Sequence, residues 1–296
     1  MNIEEFLNER KALINKTLEL MVAPENTFPP SIHKAVRYSL LDGGKRIRPI
    51  LTLCAYDLIA GNYQAVLPFA CGIEMIHTYS LIHDDLPAMD NSDFRRGRPS
   101  NHKVFGEALA ILAGDALLTM AFDVMTDAAR HDSLKPAFLL KAVREIARAA
   151  GLQGMIGGQT IDIETQGLHF DLPLLEYIHT HKTGALIVAA LRAGAVLGEA
   201  QEEHLDALTR YGRCIGLAFQ ITDDILDIEG TKATMGKTTG LDSLADKATY
   251  PKLLGLEESR RRTAELTAKA EDALTIFGDK AEPLNKIACL IGRRIC

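Results

Sequence analysis

Cysteine is scarce in this 296-residue chain: Cys54, Cys71, Cys214, Cys289 and Cys296 are odd in number and show no CxxC spacing. Neither a disulfide framework nor a zinc site is expected, and a reduced, cytoplasmic setting fits best. Long hydrophobic runs are missing as well. No stretch of about 18 apolar residues offers a membrane span. The nearest candidate, Ala185 to Gly198, is interrupted by Arg192 and reads as a buried helix. The N-terminus, MNIEEFLNER, is acidic where a signal peptide would be basic. Basic charge is in deficit overall, with a net charge of −6, which argues against nucleic acid as a partner. Any polyanion has to be met locally, by clustered Lys and Arg. No Ser/Gly/Pro-rich linker, low-complexity tract or short repeat divides the chain, so residues 1–296 are expected to form a single domain.

What is present is apolar and helical. Hydrophobic residues make up 47% of the chain, enough for a substantial core. They recur at three- and four-residue spacing, while alternating strand patterns are scarce. The spacing predicts an all-α protein with helices at roughly 3–21, 29–41, 47–60, 64–86, 104–128, 134–150, 172–198, 202–229 and 249–277. Breaks fall at Gly43–Gly44, Gly97–Pro99, Gly151–Gly158, Gly230–Gly240 and Gly278, among others.

Two aspartate clusters end apolar segments: DDLPAMD, from Asp84 to Asp90, and DDILD, from Asp223 to Asp227. A helix C-terminus already carries partial negative charge, so carboxylates gathered there call for a cation. Hard divalent ions, Mg²⁺ above all, are held by one or two carboxylates together with substrate phosphates. Arg95, Arg96 and Arg98 follow the first cluster, and guanidinium beside carboxylate suits a site that takes metal and polyanion together. At 3.6 residues per turn, His77, Ser80 and Asp84 share one stripe, and Gln220, Asp223, Asp224 and Asp227 share another. Apolar residues cover the remaining faces, so these stripes are expected to line a polar cavity inside a helical bundle. Pro87 disfavours helical geometry at Leu86, ends the first motif helix after Asp85, and leaves Asp90 to reach back from a loop.

Other segments carry less by themselves. GGKRIRP, Gly43 to Pro49, can present Lys45 and Arg48 to a phosphate, or it can be an ordinary basic loop. GTKATMGKT, Gly230 to Thr238, imitates a Walker A loop, but five residues separate Gly230 from Gly236 where four are required, and it follows a helix. Lys237 within it could still counter a metal-bound anion. Lys182 and Thr183 lie in a segment expected to be buried, so Lys182 either snorkels to solvent or faces the polar cavity. Glu74–His77 and Glu176–His179 are two ExxH pairs, as in a di-iron bundle, although that reading leaves the aspartates and arginines unexplained.

Taken together, GGKRIRP, EMIHTYSLIHDDLPAMDNSDFRRGRPSNH, GMIGGQTIDI, HKTGAL, FQITDDILDIEG, MGKTTGLD and ATYPKLLGLEESR resemble the short-chain trans-isoprenyl diphosphate synthases, most closely the bacterial farnesyl diphosphate synthases. The resemblance runs from about Lys34 to Arg260. It implies an all-α bundle around a deep central cavity, usually a homodimer, and condensation of isopentenyl diphosphate with dimethylallyl or geranyl diphosphate to give farnesyl diphosphate. A geranylgeranyl diphosphate synthase is the alternative within the family. Matched residue by residue, the resemblance implies that Asp84 and Asp90 hold two Mg²⁺ ions and Asp223 a third, supported by Asp85, Asp224 and Asp227. Lys45, Arg48, His77 and Arg96 match the isopentenyl diphosphate site. Arg95, Lys182 and Lys237 match the allylic diphosphate site, and Thr183 and Gln220 the path of the carbocation. Tyr79, with Ser80 beside it, looks like the floor that sets product length. It lies five residues before Asp84, ~7–8 Å along a helix. Asn91 and Ser92 depart from the pattern, standing where many relatives carry further aspartates, and the basic tail IGRRIC matches no particular tail.

Overall fold

The computed structural model describes residues 1–168, 171–229 and 249–293. Its long helices are α1 (Ile3–Met21), α2 (Pro30–Leu40), α3 (Ile47–Ala60), α4 (Leu67–Asp84), then α5 (Asn101–Phe105), α6 (Glu107–Thr126), α7 (Pro136–Ala150), α8 (Met155–Glu164), α9 (Leu172–Ile178), α10 (Ala185–Leu197) and α11 (Glu202–Glu229). Helices Tyr250–Leu254, Leu256–Ala273 and Glu282–Arg293 follow. The starts are written locally. Asn2 caps α1 by accepting from the Glu4 and Glu5 N–H groups, and Pro30 opens α2 at the first-turn position where a missing N–H costs nothing. α4 packs along α6, α10 along α3 and α7, and α11 along Leu256–Ala273. Ile14, Leu40, Ile50, Phe69, Ile73, Leu117, Leu191, Tyr211 and Ile221 are buried in one core that all these helices share.

Several elements depart from the sequence expectation. Phe94–Arg95 and Arg98–Pro99 pair as a short antiparallel hairpin, with Arg95 opposite Arg98. Its two turn residues, Arg96 and Gly97, have φ of 55° and 79°, the left-handed pair that suits the twist of a two-residue hairpin. The glycines of GMIGGQTIDI, read as a break, open α8 instead. Its Gly158 carries no side chain because a Cβ would lie 2.2 Å from the Lys182 backbone nitrogen. The long helix expected over 172–198 contains a π-helical segment, His179–Gly184, and the final helix Glu282–Arg293 was not anticipated at all. Gly255, at φ 84°, splits the helix expected over 249–277. On hydropathy, Ala185–Gly198 is not the nearest approach to a membrane span: Tyr63–Asp84 and Glu107–Thr126 are long and apolar enough by composition, with mean hydropathy 1.4 and 1.7. The first of these is largely buried inside the bundle, whereas only 39% of the α6 window is buried.

Candidate active site

α4 ends at Asp84 with Asp85 at its C-cap, where Pro87 placed the break. A helix end leaves carbonyls without intrahelical partners. The following loop supplies them: the Asp90 N–H donates to the Asp84 carbonyl at 2.9 Å, Asn91 N–H to Leu86 at 3.0 Å and Ser92 N–H to Asp85 at 3.2 Å. Folding back in this way returns Asp90 to the end of α4 beside Asp84. Asn91 sits at φ 49°, a left-handed conformation that asparagine and aspartate both tolerate better than most residues. The buried Asp85 carboxylate is gripped by Arg95, with Nε at 3.1 Å and Nη2 at 2.5 Å. Burial pushes the Asp85 carboxyl up, and Arg95 opposes that shift. Asp85 therefore anchors an arginine.

A second wall comes from α8 and the π-helical segment, which Gly158 lets approach closely. Lys182 Nζ lies 2.7 Å from Asp162 and 3.9 Å from Asp84, and Gln159 Nε2 donates to Asp84 at 2.6 Å. Burial by itself would lower the Lys182 pKa. Asp84, Asp162 and Asp90 outweigh it and raise the pKa above the usual lysine value, so the ammonium stays charged. Lys182 does not escape to solvent; it faces the carboxylates. Beside it, the Thr183 hydroxyl donates to Gln220 Oε1 at 3.1 Å, joining the π segment to α11. Gln159 and Asp162 were not singled out from the sequence. Their three-residue spacing in GGQTIDI, which puts both on one helical face, was the available signal.

The cations gather on the other side. Lys45, Arg48, His77, Arg95 and Arg96 line one pocket of about 510 Å³, whose apolar walls include Leu81, Ile187, Ile215 and Phe219. Four residues matched to one diphosphate site are thereby brought together. Arg96 is held there by donating to the Gly43 carbonyl at 3.0 Å. Gly44, at φ 100°, makes room for it, since a Cβ would meet Arg96 Nη2 at 2.7 Å. Arg48 Nε is buried with no hydrogen-bond partner, and burial lowers its pKa, as expected of a cation short of an anion. Arg46, between them in sequence, turns inward: at φ 54° it donates to Glu74 at 2.7 Å, to Asn15 at 2.9 Å and to the Leu40 carbonyl at 2.6 Å. Glu74 is thus committed to an arginine, and Glu176 accepts from Tyr250 and Arg262. Both ExxH glutamates being engaged this way, the di-iron reading is dropped.

On α11, Asp223 is half-buried, while Asp224 and Asp227 are buried. Asp224 accepts the Tyr250 N–H at 3.0 Å and lies 3.3 Å from His179 Nε2. Lys237 lies outside the described residues. Tyr79 is buried edge-on against His83, ring centroids 5.7 Å apart, and does not line the cationic pocket; the Ser80 hydroxyl donates to the His77 carbonyl at 2.8 Å.

The chain matches the polyprenyl synthetase family over residues 29–281. It is 47% identical over 293 residues, 98% of this chain and 78% of the relative, to the heterodimeric geranylgeranyl pyrophosphate synthase large subunit 1, chloroplastic, of Arabidopsis thaliana. The chain belongs to the polyprenyl synthetase family. Among solved structures, an FPP/GFPP synthase from Zymomonas mobilis superposes with TM-score 0.87 at 38% identity, covering 98% of this chain and 99% of that one. A geranyltransferase from Helicobacter pylori, complexed with magnesium and isoprenyl diphosphate, gives TM-score 0.85 at 32% identity, covering 98% and 96%.

As a short-chain trans-prenyl synthase the protein is a prenyltransferase of a Mg²⁺-dependent family. The donor set fits such an ion. All candidate ligands are carboxylate oxygens, and among the described residues no group of three or more His, Cys, Asp or Glu can hold a cation alone. An ion bound here needs oxygens from a second source, which a diphosphate supplies. A separate cavity of about 470 Å³, lined by Phe6, Arg10, Cys54 and Lys280 among others, contains none of the motif residues of this synthase. Its Cys54 thiol is pushed up to about 12 by burial and is unreactive at neutral pH.

His77 makes folding stability depend on pH. Burial, followed by the surrounding arginines, drops its pKa well below the ordinary 6.5, and burial lowers His131 too. Below pH 6.5 the unfolded chain binds protons at these positions that the folded chain does not, so stability falls as pH drops below that value. Denaturant midpoints of the wild type should decline from pH 7 to pH 5, and His77→Asn should flatten the slope. An unchanged slope in that variant would mean His77 is not held neutral.

Proposed function

We propose that this prenyltransferase condenses isopentenyl diphosphate with dimethylallyl and then geranyl diphosphate, and stops at the fifteen-carbon farnesyl diphosphate. What supports the condensation is a division of charge: Lys45, Arg48, His77 and Arg96 line one pocket, while Asp84 faces Lys182 at 3.9 Å on another wall. In this reading the pocket takes one diphosphate, and Asp84 and Asp90, with Asp223 on α11, take the other through metal ions. Mg²⁺ ions bound at those aspartates would neutralise the departing diphosphate, which makes ionisation of an allylic C–O bond feasible. Lys182 adds fixed positive charge on the same side, and Arg95, matched to the allylic site but lining the cationic pocket, reaches the aspartates through Asp85. Thr183 and Gln220 oxygens stabilise the allylic cation without readily attacking it, and the apolar walls exclude the water that would quench it. In the other half, the cationic pocket holds the second diphosphate, and neutral His77 donates or accepts a hydrogen bond there without adding charge. Three ions per site, a homodimeric assembly and a cytoplasmic location belong to the same reading. The open apolar face of α6, with Ile111 and Leu112 exposed, supports the dimer. The described Cys54, Cys71 and Cys214 carry no disulfide, which supports a reducing compartment.

The fifteen-carbon limit rests on Tyr79. A second reading, a twenty-carbon product, is favoured by the Arabidopsis relative named as a geranylgeranyl synthase. Incubation with Mg²⁺, isopentenyl diphosphate and each allylic diphosphate, followed by chromatography, separates the two by product length. Tyr79→Ala should then extend the product by at least one five-carbon unit, because it removes an aromatic ring beneath the metal-bearing end of α4. A variant that still makes only the wild-type product would place the floor elsewhere.

A further inference from the structure

The motif Glu176–His179 is left over once both halves of the site are assigned, and it is engaged in full. Glu176 Oε1 accepts from the Tyr250 hydroxyl at 2.8 Å and from Arg262 Nη2 at 3.1 Å. His179 stacks on the Tyr250 ring at 5.7 Å with planes 11° apart, and its Nε2 lies 3.3 Å from Asp224 Oδ2. The same Asp224 oxygen accepts the Tyr250 backbone N–H at 3.0 Å. Tyr250 itself is 0% exposed. One buried residue therefore grips two elements at once: its hydroxyl holds α9, which runs into the segment carrying Lys182 and Thr183, and its N–H holds α11 one residue from Asp223.

We propose that Tyr250 is a positioning residue that sets the separation between the Lys182–Thr183 wall and Asp223, through Glu176 on one side and Asp224 on the other. This rests on the function proposed above and adds a residue that neither binds diphosphate nor contacts the cationic pocket. The physical reason is tolerance: a constellation of charges that must converge on one diphosphate loses affinity when its walls shift by a fraction of an ångström, and buried hydrogen bonds to the supporting shell prevent that shift. Burial and the adjacent Glu176 push the Tyr250 hydroxyl far above its usual range, so it remains a donor at any working pH.

Tyr250→Phe removes the hydroxyl and keeps the ring, the stacking and the backbone N–H. In the full-length protein it should bind inorganic pyrophosphate in Mg²⁺, measured by calorimetry, on the order of tenfold more weakly than wild type. The Michaelis constant for the allylic substrate should rise while that for isopentenyl diphosphate stays unchanged. Glu176→Gln retains an acceptor oxygen for Tyr250 and should bind pyrophosphate like wild type, whereas Glu176→Ala should reproduce Tyr250→Phe. If Tyr250→Phe does not fold, Glu176→Ala carries the same expectation, since it breaks the same hydrogen bond from the half-buried side. Unchanged pyrophosphate affinity in the folded variant, or equal rises in both Michaelis constants, would overturn the proposal. A wild type that binds pyrophosphate but forms no prenyl diphosphate overturns the proposed function instead, leaving the pyrophosphate comparison to decide on Tyr250.

Discussion

Asp84→Ala should lower turnover on the order of 10²–10³-fold or more, the loss associated with removing one preorganised electrostatic contact to a developing charge. Asp84 is where three observations meet: it terminates α4, accepts from Gln159 at 2.6 Å and lies 3.9 Å from the Lys182 ammonium. Truncation removes a carboxylate from the metal-binding end and leaves Lys182 with Asp162 and the field of Asp90, so the helix should persist while the charge balance of the site changes. Asp84→Asn tells shape from charge. It keeps an oxygen for Gln159 and nearly the same volume, yet cannot hold a cation as a carboxylate does, and it should be almost as impaired as the alanine variant. Circular dichroism should match wild type in both. An Asp84→Asn enzyme with full turnover would show that the negative charge is not needed there. Chelation of divalent ions should abolish activity in the wild type, with Mg²⁺ restoring it.

Arg46→Ala should be the most destabilising single change near the site. The Arg46–Glu74 pair is shielded from solvent, with side-chain exposures of 0% and 2%, and Arg46 also satisfies Asn15 and the Leu40 carbonyl. Removing one partner of a buried pair strands the other charge, at a cost of about 3–5 kcal/mol, which lowers the melting temperature by roughly 6–10 °C in a chain of this size. The double variant Arg46→Ala, Glu74→Gln should recover part of the loss, because no unpaired carboxylate remains buried. A melting temperature unchanged in Arg46→Ala would mean that water reaches Glu74 and the pair is not structural.

Helix periodicity and glycine or proline punctuation made much of this fold legible, since the bounds of α1, α3 and α11 follow directly from where apolar spacing begins and ends. The site was legible wherever one charge type repeats at short range: the aspartates, the basic GGKRIRP loop and RRGRP. Roles that depend on the angle at which two helices meet were not. Nothing in HKTGAL announces a π-helical turn, and GGQTIDI reads as a break until Gly158 is seen to admit a neighbouring backbone. Arg46 and Arg48, two residues apart in one basic run, both reach the pocket wall but differ in engagement: Arg46, on a left-handed backbone, is tied to Asn15, Glu74 and the Leu40 carbonyl, while Arg48 Nε is buried without a partner. Asp224 shares a stripe with Asp223 but is taken up by Tyr250 and His179, partners that no local pattern names.

The π-helical segment also sets a phase. Its hydrogen bonds reach one residue further than those of an α-helix, which amounts to an inserted residue and a rotation of about 100° between the helix before it and the helix after it. The face that α9 shows to Tyr250 and the face that α10 shows to α3 are therefore offset by that rotation, although they belong to one continuous rod. That offset lets one rod present Glu176 to Tyr250 and Lys182 to Asp84 and Asp162 while α10 keeps its apolar contact with α3.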